Sequence, residues 1–167
     1  MQKLYAGLSY EDVVRKYADS VACACVMRLN NYADAEDCFQ NTFVKLYTSS
    51  PEFNDEKHLK SWLLRVAINE CRSVLRTIGR YLPLETAERT PVFIDEDADS
   101  LSFPSVLMTL PVKYRETLYL YYCEGYSVDE TASILKKNPN TVKTILRRGR
   151  ERIKNIYGGE IDEQARS

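Results

Sequence analysis

Residues 127–153 spell SVDETASILKKNPNTVKTILRRGRERI, and their pattern points to one supersecondary unit. Ser127 and Glu130 form an S-x-x-E capping box that opens a short helix with Val128, Ala132 and Leu135 on one side. Lys136-Lys137-Asn138 makes a tight turn. Asn138 is a good N-cap, and Pro139 takes the first helical position, where a missing N–H costs nothing. The next helix carries Val142, Leu146, Gly149 and Ile153 at spacings of 4, 3 and 4. A short capped helix, a turn and a longer basic helix together make a helix-turn-helix. At the start of its second helix, Asn140, Thr141 and Thr144 are short polar side chains able to approach base edges. Lys143, Arg147, Arg148 and Arg150 can reach phosphates or pair with guanine. A basic helix can also be a solvated face or match an acidic partner; the turn chemistry favours DNA.

Working outward, Val112 to Glu124 reads as a tyrosine-rich helix ended by Gly125, with Leu118, Tyr121 and Tyr122 available for a core. Ser105 to Thr109 forms one turn before Leu110-Pro111. Residues 80–102 hold Pro83, Pro91 and scattered acids without periodicity. A loop of that length inside one compact domain is unusual, so a domain boundary falls there. The first half repeats the helical theme. Ser9 and Asp12 cap a helix whose apolar positions are Val13, Val14, Tyr17, Val21, Cys25 and Leu29, with Asn30-Asn31 as its stop. A second helix covers about Asp34 to Tyr47, its stripe Ala35, Cys38, Phe39, Thr42, Phe43 and Leu46. After the polar loop Ser49–Asp55, a long helix spans about Lys57 to Ile78 and ends at Gly79. Leu59, Leu63, Val66, Ala67, Val74 and Ile78 form its buried face; Arg65, Asn69, Arg72 and Arg76 line another.

The net charge of −1 hides segregation. Residues 57–80 carry six basic residues against Glu70, and residues 143–154 carry six against Glu151. Between them, residues 84–100 hold six acids against Arg89. Two basic patches separated by an acidic strap imply two contacts with a polyanion. The five cysteines (23, 25, 38, 71 and 123) contain no CxxC pair, so neither a disulfide framework nor a four-thiolate zinc site is expected. Most suit buried filler positions on helices; a redox role for Cys23 or Cys25 stays open. His58 is the single histidine, and no GxSxG, HExxH, P-loop or dinucleotide fingerprint occurs. His58 and Cys71 stand about 20 Å apart along one helix, too far for a nucleophile pair. No catalytic residue, metal site or cofactor is expected. No apolar run is long enough to span a bilayer, and MQKLYAGLSYEDVV lacks a signal core, so a cytoplasmic protein without membrane insertion is expected.

Four stretches carry a family resemblance: ADAEDCFQNTFVKLY (33–47), HLKSWLLRVAINECRSVL (58–75), LPVKYRETLYLYYCEGYSVDETASIL (110–135) and NTVKTILRRGRERI (140–153). In this order and separation they resemble the ECF (extracytoplasmic function) group of bacterial RNA polymerase sigma factors. The resemblance implies an all-α protein of two small helical domains joined by a flexible acidic linker. Residues 1–80 would form a region 2-like domain, 81–103 the linker, and 104–167 a region 4-like helix-turn-helix domain.

It also implies partners and roles. Asp37, Gln40 and Asn41 would dock on the coiled coil of core RNA polymerase. Phe53, Asn54, Lys60, Trp62, Arg65, Asn69 and Arg72 would recognise and open the downstream element of promoter DNA; an indole at position 62 is equally at home in a core. The helix-turn-helix, with Asn140, Thr141, Lys143, Thr144, Arg147, Arg148 and Arg150, would bind the upstream element. The linker would thread the RNA exit path or serve as a solvated tether, and an anti-sigma protein is an expected partner. Asn41 stands where the family usually has Glu, Tyr47 where Trp is frequent, Ile145 where Arg is common and Gly149 where Ala is common. A stand-alone repressor or activator and a purely protein-binding helical module remain as rivals.

Overall fold

Caps written in the sequence start the helices. The computed structural model describes residues 2–29, 31–81 and 102–157. Its first helix, α1, runs Tyr10–Arg28, and Ser9 accepts the Asp12 amide at 3.2 Å as the S-x-x-D spacing predicts. α2 runs Tyr32–Ser49. It begins before Asp34 because Asn31 serves as its N-cap, accepting the Asp34 amide at 3.1 Å, rather than merely ending α1. α3 runs Glu56–Tyr81, with the Asp55 carboxylate accepting the His58 amide at 2.7 Å. Its backbone continues through Gly79, which is not among the glycines with positive φ, so the expected stop does not occur there.

The three helices pack against one another in all pairings. Val13, Tyr17, Val21 and Cys25 form a four-residue ridge on α1, and Leu59, Leu63, Ala67 and Cys71 form another on α3. Ala67 and Cys71 are small enough to let α3 approach closely, and the Cys71 thiol lies 3.9 Å from the Cys25 carbonyl oxygen. Ala35, Cys38, Phe43 and Leu46 of α2 complete the core. Val66 and Val74 are only half-buried; Leu64 and Ile68 are fully buried instead. The side chain of Ile78 lies outside the described residues. Residues before Ser9 also join this unit. Tyr5 and Leu8 exchange backbone hydrogen bonds of 2.8 and 2.9 Å around Ala6 and Gly7, both at positive φ, and Tyr5 is buried.

The chain divides into two compact units, residues 1–90 and 91–167. Most of the expected acidic linker, residues 82–101, lies outside the described residues. In the second unit α4 runs Phe103–Leu107, with Ser102 as N-cap, so it begins inside the segment expected to be linker. α5 runs Val112–Leu118 and continues as a π-helical segment, Tyr119–Cys123, ended by Gly125 at φ 75°. That change of pitch alters which tyrosines face inward. Tyr119, Leu120 and Tyr126 are buried beside Leu118, whereas the expected core residues Tyr121 and Tyr122 are half-buried. α6 runs Val128–Leu135 and α7 runs Pro139–Tyr157. Val142, Ile145, Leu146, Gly149 and Ile153 of α7 are buried, and α7 packs on both α5 and α6. Among the described residues no β-strand forms and no helix is long and apolar enough to cross a membrane.

Candidate nucleic-acid interface

The turn that orients the second basic helix is held at both ends. Both halves of the Ser127–Glu130 capping box are present at 3.1 Å. Lys136 then enters the left-handed region (φ 55°, ψ 46°), and the Lys137 amide closes onto the Ala132 carbonyl at 2.9 Å. Asn138 accepts the Asn140 amide at 2.9 Å, starting α7. With Val142, Ile145, Leu146, Gly149 and Ile153 turned inward, α7 presents Asn140, Thr141, Lys143, Arg147 and Arg148 to solvent. Ile145 therefore sits on the packing side.

Not every expected contact residue is equally available. Thr144 is half-buried, and its hydroxyl donates to the Asn140 carbonyl at 3.0 Å. Arg147 pairs with Glu151 at 3.5 Å in an exposed i,i+4 bridge worth little by itself. Arg150 departs furthest from the expectation. It is half-buried and donates to the Tyr122 hydroxyl at 3.0 Å, closing one side of an open groove of about 570 Å³. Tyr121, Tyr126, Ser127 and Glu130 also line that groove. Burial, reinforced by Glu124 and Glu130, pushes the Tyr126 phenol well above its ordinary value, so it stays protonated. The sequence spacing gives no sign of the Arg150–Tyr122 bond, because the partners are 28 residues apart.

In the first unit, the loop before α3 and one stripe of that helix hold the other expected set. Trp62, Arg65, Asn69 and Arg72 lie within roughly a quarter-turn of one another around the axis, whereas Lys60 stands roughly 120–180° away. The stripe is brought together and Lys60 is not part of it. All five are half-buried, so this face is neither sealed in the core nor fully solvated. Phe53 meets Trp62 edge-on at 5.7 Å between ring centroids and His58 at 5.3 Å. Trp62 packs against the core of its unit, so its indole is anchored along one side. Glu70, the one acid of the stretch, pairs with Lys45 of α2.

Asp37, Gln40 and Asn41 are exposed on the outward face of α2. Val44 and Tyr47, 54% and 66% exposed, extend the same stripe. Val44 follows Asn41 by 3 and Gln40 by 4, and Tyr47 follows Val44 by 3; that helical spacing is the signal that could have added them to the docking set.

The cysteines divide by position. Cys25, Cys38 and Cys71 are buried in the first core, while Cys23 and Cys123 are exposed. Hydrogen bonds with Cys25 and Cys38, together with burial, push the Cys71 thiol far above its ordinary value, which keeps it protonated and unreactive.

The sigma-70 region 2 family model matches residues 9–81, and the sigma-70 region 4 model matches residues 100–153. The chain is 28% identical over 163 residues to ECF RNA polymerase sigma factor SigW of Bacillus subtilis, covering 87% of each protein. It is 24% identical over 166 residues to SigM of the same organism, covering 94% of this chain and 100% of that one. Against SigE of Mycolicibacterium smegmatis it is 25% identical over 170 residues, covering 95% of this chain and 65% of that protein. Among solved structures, the sigma factor RpoE bound to the anti-sigma factor NepR from Bartonella quintana shares the fold. The TM-score is 0.74 at 22% identity, over 90% of this chain and 98% of that one. CnrH, in complex with the cytosolic domain of CnrY, superposes with a TM-score of 0.59 at 19% identity, over 90% and 88% of the two chains.

Proposed function

We propose, for a chain that belongs to the ECF group of bacterial RNA polymerase sigma factors, one protein-docking face and two promoter-reading faces. As a sigma factor it binds core RNA polymerase and directs initiation at promoters, and sigma factors are non-enzymatic. The docking face is the outward stripe of α2. Asp37, Gln40 and Asn41 supply one negative charge and two amides, and Val44 with Tyr47 supplies apolar area beside them. A polar rim against a compact apolar patch is the make-up of a specific protein interface, and Asp37 favours a basic partner surface.

The downstream face consists of Phe53 and Asn54 in the loop with Trp62, Arg65, Asn69 and Arg72 on α3. Opening DNA without a nucleotide fuel is a trapping process. Unstacking a base costs a few kcal/mol, which a shaped pocket and a cationic track for the single strand can offset. The edge-on pair of Phe53 and Trp62 offers aromatic surface for an unstacked base, and Arg65 and Arg72 supply the track. The upstream face is the start of α7, where Asn140 and Thr141 approach base edges and Lys143, Arg147 and Arg148 serve phosphate or guanine. Arg150 belongs to the support of that face, since its guanidinium is engaged with Tyr122. These assignments go with domain limits of 1–80 and 104–167. The solved relatives bound to NepR and CnrY support an anti-sigma protein as a further partner.

The observation that carries the reading is that two separate helical units each carry a cationic or amide-bearing face, half-buried on α3 and exposed on α2 and α7, at most of the residues that the resemblance assigns. A stand-alone DNA-binding regulator has no need of the α2 stripe. The test is run-off transcription with core polymerase, paired with gel filtration of Asp37→Lys. Specific start sites and co-elution are expected for the unaltered chain, with co-elution weakened in the variant. Absence of a specific start on any promoter fragment of the host genome refutes the proposal.

A further inference from the structure

The loop before α3 is held by a side chain that the promoter-reading scheme does not use. The Asn54 backbone N–H donates to Nδ1 of His58 at 3.2 Å, and the same imidazole meets the Phe53 ring edge-on at 5.3 Å. Phe53 thus meets two rings one turn apart on α3, His58 and Trp62. The His58 backbone amide donates to the Asp55 carboxylate at 2.7 Å, which holds the residue's position at the start of α3. Every residue in this grip except Trp62 falls within 53–58, so it is a local device.

We infer that His58 is a positioning residue that presets Phe53 and Asn54 for the downstream promoter base. The inference rests on the proposed reading of that loop. A loop already in its bound shape loses less freedom when it captures a base, so a pinned loop discriminates more sharply than a slack one. Asn54 and His58 are both exposed, so water competes for the Asn54 amide and the pin must be maintained by ring packing as well as by the hydrogen bond.

The pin depends on protonation. A ring nitrogen that accepts a hydrogen bond carries no proton, whereas in the imidazolium both nitrogens are donors. Protonated His58 would set N–H against the Asn54 N–H, and the loop would let go. This chain has a single histidine. The charged groups around it are accounted for. Asp55 is held by the His58 amide, Glu56 is turned to Lys16 and Tyr17 of α1, and Glu52, Lys57 and Lys60 flank it in sequence.

The full chain supplies its own reporter, because Trp62 is its only tryptophan and touches Phe53. Trp62 emission and Asn54 amide protection, the exchange rate relative to that of an unstructured amide at the same pH, should change in the unaltered protein when followed from pH 8 to pH 5 without DNA. They should stay flat in His58→Asn, whose side-chain oxygen accepts at every pH near the place of Nδ1. His58→Phe keeps a ring but lacks the acceptor. With core polymerase at pH 7.5, it should lose about three- to tenfold of its discrimination among single-base changes in the downstream element. Core affinity and upstream binding should be unaffected, and His58→Asn should retain most of the discrimination. A pH-flat Trp62 and Asn54 signal in the unaltered chain, or wild-type discrimination by His58→Phe, overturns the inference. Phe53→Ala and Asn54→Ala separate the two levels. If they change base preference while His58→Phe does not, only the positioning role fails. If they change nothing, the downstream reading itself falls and takes this role with it.

Discussion

At Gly149 α7 packs tightly on Leu118 of α5, and replacing the glycine with alanine sets two effects of known size against each other. A Cβ built there stands 2.8 Å from Cδ1 of Leu118, 3.3 Å from its Cγ and 3.6 Å from its Cδ2. Alanine is favoured over glycine in a helix interior by about 1 kcal/mol. Against that, carbon atoms rest comfortably at about 3.5–4.0 Å, so Leu118 or α7 must give way by about 0.7 Å. Leu118 has no exposed surface into which it can swing. An extra methyl forced into a packed core costs roughly 1–3 kcal/mol. Crowding wins, and Gly149→Ala is expected to destabilise the second unit by up to about 2 kcal/mol. Urea unfolding separates the units, since Trp62 emission reports the first and far-UV circular dichroism reports both. The circular dichroism transition should shift to lower urea while the Trp62 transition stays in place. Leu118→Ala alone should cost roughly 2–5 kcal/mol, and in the double variant the added methyl fills space that Leu118 vacated. The double variant should therefore be more stable than the sum of the singles by about 1–3 kcal/mol. A midpoint raised by Gly149→Ala, or strict additivity in the cycle, refutes the close approach.

Lys136→Gly should raise stability by roughly 0.5–1 kcal/mol in the same urea assay, because Lys136 holds a left-handed conformation (φ 55°) that costs a residue with a Cβ. The Lys16 and Tyr17 hydrogen bonds hold the Glu56 carboxyl below its ordinary value. A depressed carboxyl stabilises the fold above its unfolded titration and loses that contribution as pH falls through the folded one. Glu56→Gln should accordingly unfold earlier than the unaltered chain at pH 7, with the gap closing by pH 3; a gap that persists at pH 3 contradicts the linkage. Arg148→Ala should weaken upstream-element binding by roughly 1–3 kcal/mol if it reads a base, or reduce the salt slope by about one if it meets phosphate. Titrations at several salt concentrations distinguish these, and no change in either removes Arg148 from the interface.

The legible parts of the fold were those set by local chemistry. The caps at Ser9, Ser127 and Asn138 each act through a hydrogen bond within two or three residues, so their spacing alone announces them. Asn31 was ambiguous because the same residue type suits a helix stop and a helix start, and the structure uses it as a start. Gly79 marks a stop only if its backbone adopts positive φ, a decision that tertiary context makes. The tyrosine run 119–122 was misassigned in part because a 3.6-residue period cannot foresee a π-helical segment, which put Tyr119 and Leu120 inside and left Tyr121 and Tyr122 half-buried. For the candidate site, the stripe Arg65, Asn69, Arg72 and Arg76 was readable from spacing, whereas Trp62 came only with the family resemblance. What the long-range contacts do to Arg150, through Tyr122, was not readable.

The departures from the family pattern take on a physical meaning once burial is known. Ile145 stands where arginine is common, yet it faces the core with Val142 and Leu146 rather than the exposed face of α7. Gly149 stands where alanine is common, and the space a methyl would need is occupied by Leu118. Both changes concern how α7 is seated. With Arg150 also tied back to Tyr122, the proposed recognition surface of this helix is left to Asn140, Thr141, Lys143, Arg147 and Arg148, all exposed. Short side chains at base edges need close approach, and close approach needs a helix whose seat does not move. Gly149 against Leu118 and the double capping box supply that seat. A chain altered at either place should therefore lose base discrimination before it loses attraction to DNA, because long cationic side chains tolerate a displaced helix and short polar ones do not.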